Sequence, residues 1–275
     1  MAKPNKKTVP FSKMVAAGND FVIIENKLNT INTPLSVKAE QICDRKYGIG
    51  ADGLLLLEKA EGLDTKMRIF NADGSEAQMC GNGARCAAYY LSLKHKRQHA
   101  KLKIKTLAGR ILAEVNGKKI KIRLTEPKAM KLNFPVQLGD KHICVNFINT
   151  GVPHTVIFVE GLDNIDVDAI GRQVRNNSKF QPAGTNVDFV ELTGEDSIKV
   201  RTYERGVEGE TLACGTGSAA AALIFAFKSG APDKVTVSTQ SREELTVYFK
   251  KTKNGFTDVW LEGTAEIVFR GEIPL

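Results

Sequence analysis

One pattern occurs twice in this chain of 275 residues, and it restricts the possible folds more than any other feature. In the first half, Arg68 to Asn71 is followed by a polar turn and then by Cys80 to Gly83. In the second half, Arg201 to Glu204 is followed by a polar turn and then by Cys214 to Gly217. Each copy is typical of a strand, a Cys-Gly-x-Gly loop and a helix of small residues. The repeat predicts a pseudo-symmetric molecule with one cysteine from each half.

Short predicted strands outnumber helices, and each half of the chain contains about two helices. The ranges with helical spacing are Ser36–Lys46 (with Ser36 as N-cap), Ala84–Leu93, Asp166–Val174 (with Asp166 as N-cap) and Ser218–Lys228. Elements of both kinds, distributed over two similar halves, predict an α+β chain of two domains.

A Cys-Gly-x-Gly segment at the start of a helix has two chemical consequences. Glycine lets a ligand approach the main chain, and the first N–H groups of the helix act like about half a positive charge. These amides can hold a carboxylate or a phosphate. The same field is expected to lower the pKa of an adjacent thiol from ~8.5 towards neutrality, which makes thiolate available.

If the two segments face one substrate, Cys80 and Cys214 flank an atom beside the bound anion. At the α-carbon of an amino acid, one thiolate could then remove a proton while the opposite thiol delivers one, which inverts the centre without a cofactor. The helix ends would stabilise the charge that moves onto the carboxylate. The alternative is that both cysteines are small buried residues in tight turns.

Two further glycine patterns bear on cofactor binding. Gly48 to Gly53 is a literal G-x-G-x-x-G, but a predicted strand, Leu54–Leu57, follows it where a dinucleotide site requires a helix. Gly215 to Ala220 opens a helix, although outside a continuous βαβ unit. These patterns do not favour nicotinamide or flavin binding, and we expect no cofactor.

The formal net charge is +8, and the range from Lys94 to Lys131 contains thirteen basic and two acidic residues. Such a range could form a nucleic-acid surface. Its lysines alternate with apolar residues, however, as on the outer face of half-buried strands, and no aromatic residue lies among them for base stacking. We expect no nucleic-acid partner, and a basic nucleic-acid-binding protein is the alternative from another functional class.

Cysteine number and hydropathy bear on metals and location. The five cysteines have no Cys-x2-Cys spacing, so no disulfide framework and no metal site are expected. The longest apolar run, Ala219–Phe227, is far shorter than the ~20 residues that span a bilayer. No apolar stretch typical of a signal peptide follows the first residues. We expect a cytoplasmic protein with no membrane partner.

The sequence closely resembles the diaminopimelate epimerases, cofactor-independent enzymes of lysine and peptidoglycan-precursor synthesis, over essentially the whole chain. The segments that carry the resemblance are Gly18–Phe21, Arg68–Glu76, Cys80–Cys86, Pro153–His154, Thr185–Phe189, Tyr203–Gly206 and Glu210–Gly217. The two cysteine segments together are highly specific. The chain departs from the family pattern at Val152 and Gly53, where many members have Asn and Gln.

The resemblance implies a role for each matching residue. It implies that Cys80 and Cys214 are the catalytic pair, and that His154 and Glu204 tune the pKa values of the thiols. For binding of the reacting carboxylate it implies Gly81, Asn82, Gly215 and Thr216. For contacts with the rest of the substrate it implies Asn19, Asn71, Asn186, Glu204 and Arg205. The distal end of diaminopimelate is a zwitterion, which suits charged partners.

The expected fold is α/β (α+β), with two pseudo-symmetric domains, each a mixed β-sheet wrapped around a central helix, and an active site in the interdomain cleft. The expected domains are residues 1–121 plus 265–275, and residues 122–264. The function implied is epimerisation of LL-2,6-diaminopimelate to the meso form by a cytoplasmic homodimer. A racemase or epimerase of another amino acid on the same fold is the closer alternative.

Overall fold

Strands that bury one face dominate the structure, a computed structural model that describes residues 8–26, 34–231 and 233–274. The chain divides into two compact units. The first lies within Met1–Ile122 and Thr264–Leu275, and the second is Arg123–Gly263.

The first unit is a mixed sheet with two helices. Its elements in chain order are β1 (Thr8–Ala16), β2 (Asn19–Glu25), α1 (Leu35–Cys43), β3 (Gly53–Glu58), β4 (Thr65–Asn71), β5 (Glu76–Ala77), α2 (Gly81–Lys94), β6 (His99–Thr106), β7 (Gly109–Asn116), β8 (Lys119–Arg123) and, from the end of the chain, β18 (Glu266–Pro274). Strand β1 is antiparallel to β18 and β2, β2 is parallel to β3, and β3 is antiparallel to β4. Strand β4 is parallel to β6, and β6, β7 and β8 form antiparallel pairs. Helix α2 packs against β1, β2, β6 and β7, so the sheet surrounds it.

The second unit repeats this plan. Its elements are β9 (Lys128–Leu138), β10 (Lys141–Asn149), β11 (Pro153–Phe158), α3 (Val167–Arg175), β12 (Asn186–Leu192), β13 (Ser197–Glu204), β14 (Gly209–Thr211), α4 (Gly215–Ser229), β15 (Lys234–Ser238), β16 (Glu244–Thr252) and β17 (Gly255–Thr264). Strand β10 is antiparallel to β9 and β11, β11 is parallel to β12, and β12 is antiparallel to β13. Strand β13 is parallel to β15, and β15, β16 and β17 form antiparallel pairs.

The two units therefore share one order of parallel and antiparallel pairings. Helices α1 and α3 each connect a parallel strand pair, and helices α2 and α4 each follow a short strand. Helix α4 is buried from Gly217 to Ala226, and its alanines let the surrounding strands approach closely. The predicted fold of two similar mixed-sheet domains, each around a central helix, is confirmed.

Local predictions were right for some helix ends and wrong for others. Asp166 caps α3 as predicted, because its side chain accepts a hydrogen bond from the Ala169 N–H at 2.9 Å. Ser36 does not cap α1, which begins one residue earlier, after Pro34. Helix α1 also ends at Cys43 rather than Lys46, because the chain turns back and the N–H groups of residues 49 and 50 bond a carbonyl near the helix end.

The basic range forms the outer face of strands, as its alternation predicts. On β6, Lys101, Lys103 and Lys105 are exposed, whereas Leu102 and Ile104 are buried. These lysines are therefore accounted for by a half-buried sheet. Within the described residues, no helix has the length and apolar character needed to cross a bilayer.

Candidate functional site

Cys80 is the N-cap residue of helix α2 in the first unit. Its backbone is extended (φ −140°, ψ 122°), and its Sγ accepts a hydrogen bond from the Gly83 N–H at 3.4 Å. Gly81 is the first residue of the helix, and the thiol is partly exposed. The sulfur therefore lies at the positive end of the helix, among its first N–H groups.

The side chain of Asn82 is fixed from two sides. Its Nδ2 donates to Asn19 Oδ1 at 2.5 Å, and its Oδ1 accepts from Arg85 Nη2 at 2.9 Å. Arg85 is fully buried in α2. The structure thus joins two predicted residues and adds Arg85, which sequence reasoning missed. The signal was available, since an arginine within a helix of small residues is rarely buried without a partner.

Asn19 is the first residue of β2 and lies beside a partly buried ion-pair network. Asp20 contacts Lys13 Nζ at 2.7 Å and accepts two hydrogen bonds from Arg45, at 2.8 and 3.0 Å. Asp52 accepts from Asn19 Nδ2 at 3.2 Å, and the backbone N–H of each aspartate donates to the carboxylate of the other. Burial opposes ionisation of Asp20, but the hydrogen bonds from Arg45 and Lys13 prevail and hold its pKa well below the ordinary range. The network positions Asn19.

Asn71 has a local contact. It ends β4, and its Nδ2 donates to Ser75 Oγ at 2.9 Å, which stabilises the turn before β5. A contact of Asn71 with a substrate stays a prediction.

Cys214 is the N-cap residue of helix α4 in the second unit. Its backbone is extended (φ −115°, ψ 112°), and its Sγ lies 3.5 Å from Thr216 Oγ1. Desolvation, Glu204 and Asp188 raise the pKa of the Cys214 thiol far above its ordinary value, and the contacts of its sulfur with the Thr216 hydroxyl and the Gly217 N–H oppose this only in part. The expectation that the helix end lowers the pKa of this thiol is therefore wrong: burial beside two carboxylates outweighs the helix.

His154 and Asp188 form a fully buried pair beside this cysteine. His154 Nδ1 lies 2.8 Å from Asp188 Oδ2, and His154 Nε2 lies 3.0 Å from Thr216 Oγ1. The Thr202 hydroxyl donates to Asp188 Oδ1 at 2.8 Å. The predicted His154 is thus connected to Cys214 through Thr216. Sequence reasoning missed Asp188 and Thr202 as site residues, although a carboxylate inside the apolar strand β12 is a signal of a buried partner.

The other predicted residues of the second unit lie around the end of β13. Asn186 Oδ1 accepts from the Arg205 N–H at 2.9 Å, and Asn186 Nδ2 donates to the Pro153 carbonyl at 2.9 Å. Arg205 Nη1 donates to the Ala183 carbonyl at 2.7 Å. Burial raises the pKa of Glu204, and the charge of Asp188 adds to this effect. Asn186, Glu204 and Arg205 thus form one polar cluster at the end of β13.

Each unit therefore presents a cysteine at a helix N-terminus with a buried polar group behind the loop. A cation, Arg85, lies behind the first loop, and the Asp188–His154 pair lies behind the second. Such a loop can bind an anion through its amides and can give or take a proton through its sulfur. Among the described residues, no cluster of three or more His, Cys, Asp or Glu is suited to a metal ion.

Comparison with known sequences identifies the family. The family model for diaminopimelate epimerase matches residues 11–130 and 146–266. This chain belongs to the diaminopimelate epimerase family. The diaminopimelate epimerase of Aquifex aeolicus is 43% identical over 96% of this chain and 97% of its own length. That of Chlorobaculum tepidum is 40% identical over 95% of this chain and 100% of its own length.

Solved structures show the same fold at low sequence identity. A PhzF-family phenazine biosynthesis protein from Bacillus anthracis has a TM-score of 0.76 at 18% identity, covering 98% of this chain and 100% of that chain. A probable proline racemase from Agrobacterium radiobacter K84 has a TM-score of 0.72 at 14% identity, covering 97% and 93%. This chain thus shares its fold with these proteins.

Proposed function

We propose that this protein interconverts LL- and meso-2,6-diaminopimelate without a cofactor, with Cys80 and Cys214 as the two acid–base groups. The observation that carries the proposal is that the two cysteines are the N-cap residues of α2 and α4, equivalent helices in a repeated topology. Membership of the diaminopimelate epimerase family supports the choice of substrate. The proposal requires both sulfurs to reach opposite faces of one α-carbon.

The first-turn amides of the two helices bind the reacting carboxylate in this mechanism. The groups concerned belong to Gly81, Asn82, Gly215 and Thr216. As the α-proton leaves, negative charge spreads onto the carboxylate, and the N–H groups stabilise it in the transition state. One sulfur takes the proton as thiolate while the other gives its proton as thiol, and the roles exchange when the reaction reverses. The pair then titrates jointly.

The remaining predicted residues select the substrate and determine the protonation states of the thiols. The distal zwitterion of diaminopimelate contacts Asn19, Asn71, Asn186, Glu204 and Arg205 in this proposal. Glu204 also acts with His154 on the protonation of Cys214, which the raised pKa values of Glu204 and Cys214 support.

We further propose that the protein works as a homodimer in the cytoplasm, as the family resemblance implies. The domain boundaries proposed are residues 1–121 plus 265–275 and residues 122–264, with the substrate held in the cleft that these domains form. Light scattering at micromolar concentration tests the dimer, and a particle mass equal to one chain would contradict it.

The function is tested by incubating LL-diaminopimelate in deuterated water with the wild type, Cys80→Ser and Cys214→Ser. The wild type should place deuterium at one α-carbon with inversion, because the proton delivered comes from a thiol that has exchanged with solvent. Each serine variant should lose inversion, because a hydroxyl ionises too weakly to replace the thiol.

Cys144→Ser is the matched control, since Cys144 is an exposed thiol in the second unit. It should retain wild-type turnover. Full activity of Cys80→Ser or Cys214→Ser would refute the two-thiol mechanism. Faster turnover of another amino acid in a substrate panel would refute the choice of diaminopimelate.

A further inference from the structure

A continuous series of contacts runs from the sulfur of Cys214 into the interior of the second unit. The Sγ lies 3.5 Å from Thr216 Oγ1, which lies 3.0 Å from His154 Nε2. His154 Nδ1 lies 2.8 Å from Asp188 Oδ2, and the Thr202 hydroxyl donates to the other oxygen of Asp188 at 2.8 Å. His154 and Asp188 are fully buried, so water cannot replace these partners.

The number of available hydrogens restricts the direction of the hydrogen bonds in this series. Asp188 as a carboxylate can only accept, so Nδ1 of a neutral His154 must carry the hydrogen. Nε2 is then an acceptor, and the single hydroxyl hydrogen of Thr216 is donated to it. The contact between Thr216 and Cys214 is then a hydrogen bond only if the sulfur carries a hydrogen. When His154 is neutral, this series of hydrogen bonds therefore contains Cys214 as the thiol.

We propose that Asp188 and Thr216 are positioning residues that make His154 the acceptor of the Cys214 proton, a proposal that rests on the proposed function of Cys214. The S–H bond breaks as the Thr216 oxygen takes that proton, and the Thr216 O–H bond breaks as its own proton forms the Nε2–H bond. The products are the Cys214 thiolate and the His154 imidazolium. No proton is gained or lost overall, and the reverse transfer restores the thiol.

The environment of Cys214 makes such a base necessary. Desolvation, Glu204 and Asp188 raise the pKa of the thiol, so the thiol without a base would stay protonated at neutral pH. Transfer to His154 forms an imidazolium between Asp188 and the new thiolate, and the buried carboxylate stabilises this cation. Glu204 is the other titratable group near the pair. Burial raises the pKa of Glu204 as well.

The close approach of Asp188 to helix α4 is built into the fold. A Cβ at Gly217 would overlap Asp188 Oδ1 and lie 3.2 Å from its Cγ. Glycine at this position therefore leaves room for the carboxylate behind the loop, and Thr202 on the neighbouring strand β13 holds its other oxygen. The first unit has a different arrangement, with the cation Arg85 bonded to Asn82 behind its loop.

The test measures the thiolate of Cys214 directly, by iodoacetamide trapping and peptide mass spectrometry between about pH 6 and 9. The proteins compared are the wild type, Asp188→Asn, Thr216→Val and Thr216→Ser. Asp188→Asn and Thr216→Val should slow alkylation of Cys214 about tenfold or more at neutral pH, because the internal base is lost. Thr216→Ser keeps the hydroxyl and should stay within a few-fold of the wild type.

Two other thiols serve as references in the same digest. The alkylation rate of exposed Cys144 measures the activity of the reagent in each sample. Buried Cys43 becomes reactive only if a variant unfolds. If Asp188→Asn exposes Cys43, the difference in Cys214 alkylation between Thr216→Val and Thr216→Ser decides whether the proposal holds. Faster alkylation of Cys214 in Asp188→Asn would overturn the proposal, because Asp188 would then act only as a repelling charge. Equal rates in Thr216→Val and the wild type would overturn it as well.

The outcome is separable from the proposed function. Wild-type turnover of diaminopimelate is measured independently of alkylation. A wild type that shows the expected alkylation pattern but no epimerisation would refute the function and support the proton path. Epimerisation with Cys214 reactivity insensitive to both variants would refute the proton path and support the function.

Discussion

Replacement of Gly217 by alanine adds a single methyl group at the point where helix α4 meets Asp188. The new Cβ would overlap Asp188 Oδ1, with Asp188 Cγ at 3.2 Å and Cys214 Cβ at 3.3 Å. Relief of the overlap requires the carboxylate to move by roughly 0.7–1 Å, because buried groups are close-packed and leave no other space. Its hydrogen bonds to His154 and Thr202, both 2.8 Å, would then exceed the usual upper limit of ~3.2 Å.

The expected cost follows from these contacts. Overpacking costs about 1–3 kcal/mol, and weakening of two hydrogen bonds to a buried charge adds about 1–3 kcal/mol. Better helix propensity of alanine returns at most about 1 kcal/mol. We therefore expect Gly217→Ala to lower the free energy of unfolding by about 2–4 kcal/mol. For a unit of this size the melting temperature should fall by roughly 5–15 °C.

Gly83→Ala is the matched control, because Gly83 is the equivalent third residue of helix α2. The atoms nearest to its new Cβ would be the methyl groups of Leu55, at 3.2 and 3.6 Å, and the Cβ of Cys80 at 3.6 Å. A flexible leucine can yield, so the free energy of unfolding should change by less than about 1 kcal/mol. Thermal unfolding followed by circular dichroism measures both variants. Equal melting temperatures for the two would refute the assigned role of Asp188 packing.

Two further predictions concern ionisable groups, one partly buried and one buried. Asp20→Asn should lower the free energy of unfolding by about 1–3 kcal/mol at pH 7, because it weakens the partly buried contact with Lys13 and the bonds from the exposed Arg45. These bonds depress the pKa of Asp20 in the folded state, so their contribution to stability is complete above the unfolded pKa near ~4 and declines below it. Urea unfolding should therefore show the free energies of unfolding of the variant and the wild type converging as the pH falls below ~4. A difference that stays constant with pH would contradict this. Burial raises the pKa of Cys43 to about 11; at pH 8 about one thiol in a thousand is ionised, so alkylation of Cys43 should be at least ~100-fold slower than that of exposed Cys144, and similar rates by mass spectrometry would show that Cys43 is accessible.

Much of the fold could be predicted because it depends on residues near one another in the chain. The alternation on β6 predicted a half-buried strand, and the cap at Asp166 fixed the start of α3. The repeat predicted two similar units. The end of α1 could not be predicted in the same way, because a returning turn determines it and Gly48 is the residue that permits the close approach to Gln41.

The candidate site also has features that the sequence predicts and contacts that only the fold creates. That Cys80 and Cys214 precede glycine-rich helix starts is visible in the sequence, and a helix N-terminus polarises its cap residue in any fold. The contacts behind the loops connect residues far apart in the chain: His154 reaches Asp188 only because β11 and β12 pair in parallel, with Val156 opposite Asp188.

The sequence by itself therefore determined the family, the repeated architecture and the two cysteines, because these follow from local patterns and from residue identity. Only the tertiary structure decided which buried groups lie behind each sulfur. It placed Arg85 behind the loop of Cys80, and it placed Asp188 and Glu204 near Cys214, where they raise rather than lower the pKa of the thiol. The physical reason is that a pKa depends on desolvation and on charges within a few ångströms, and strand register sets both.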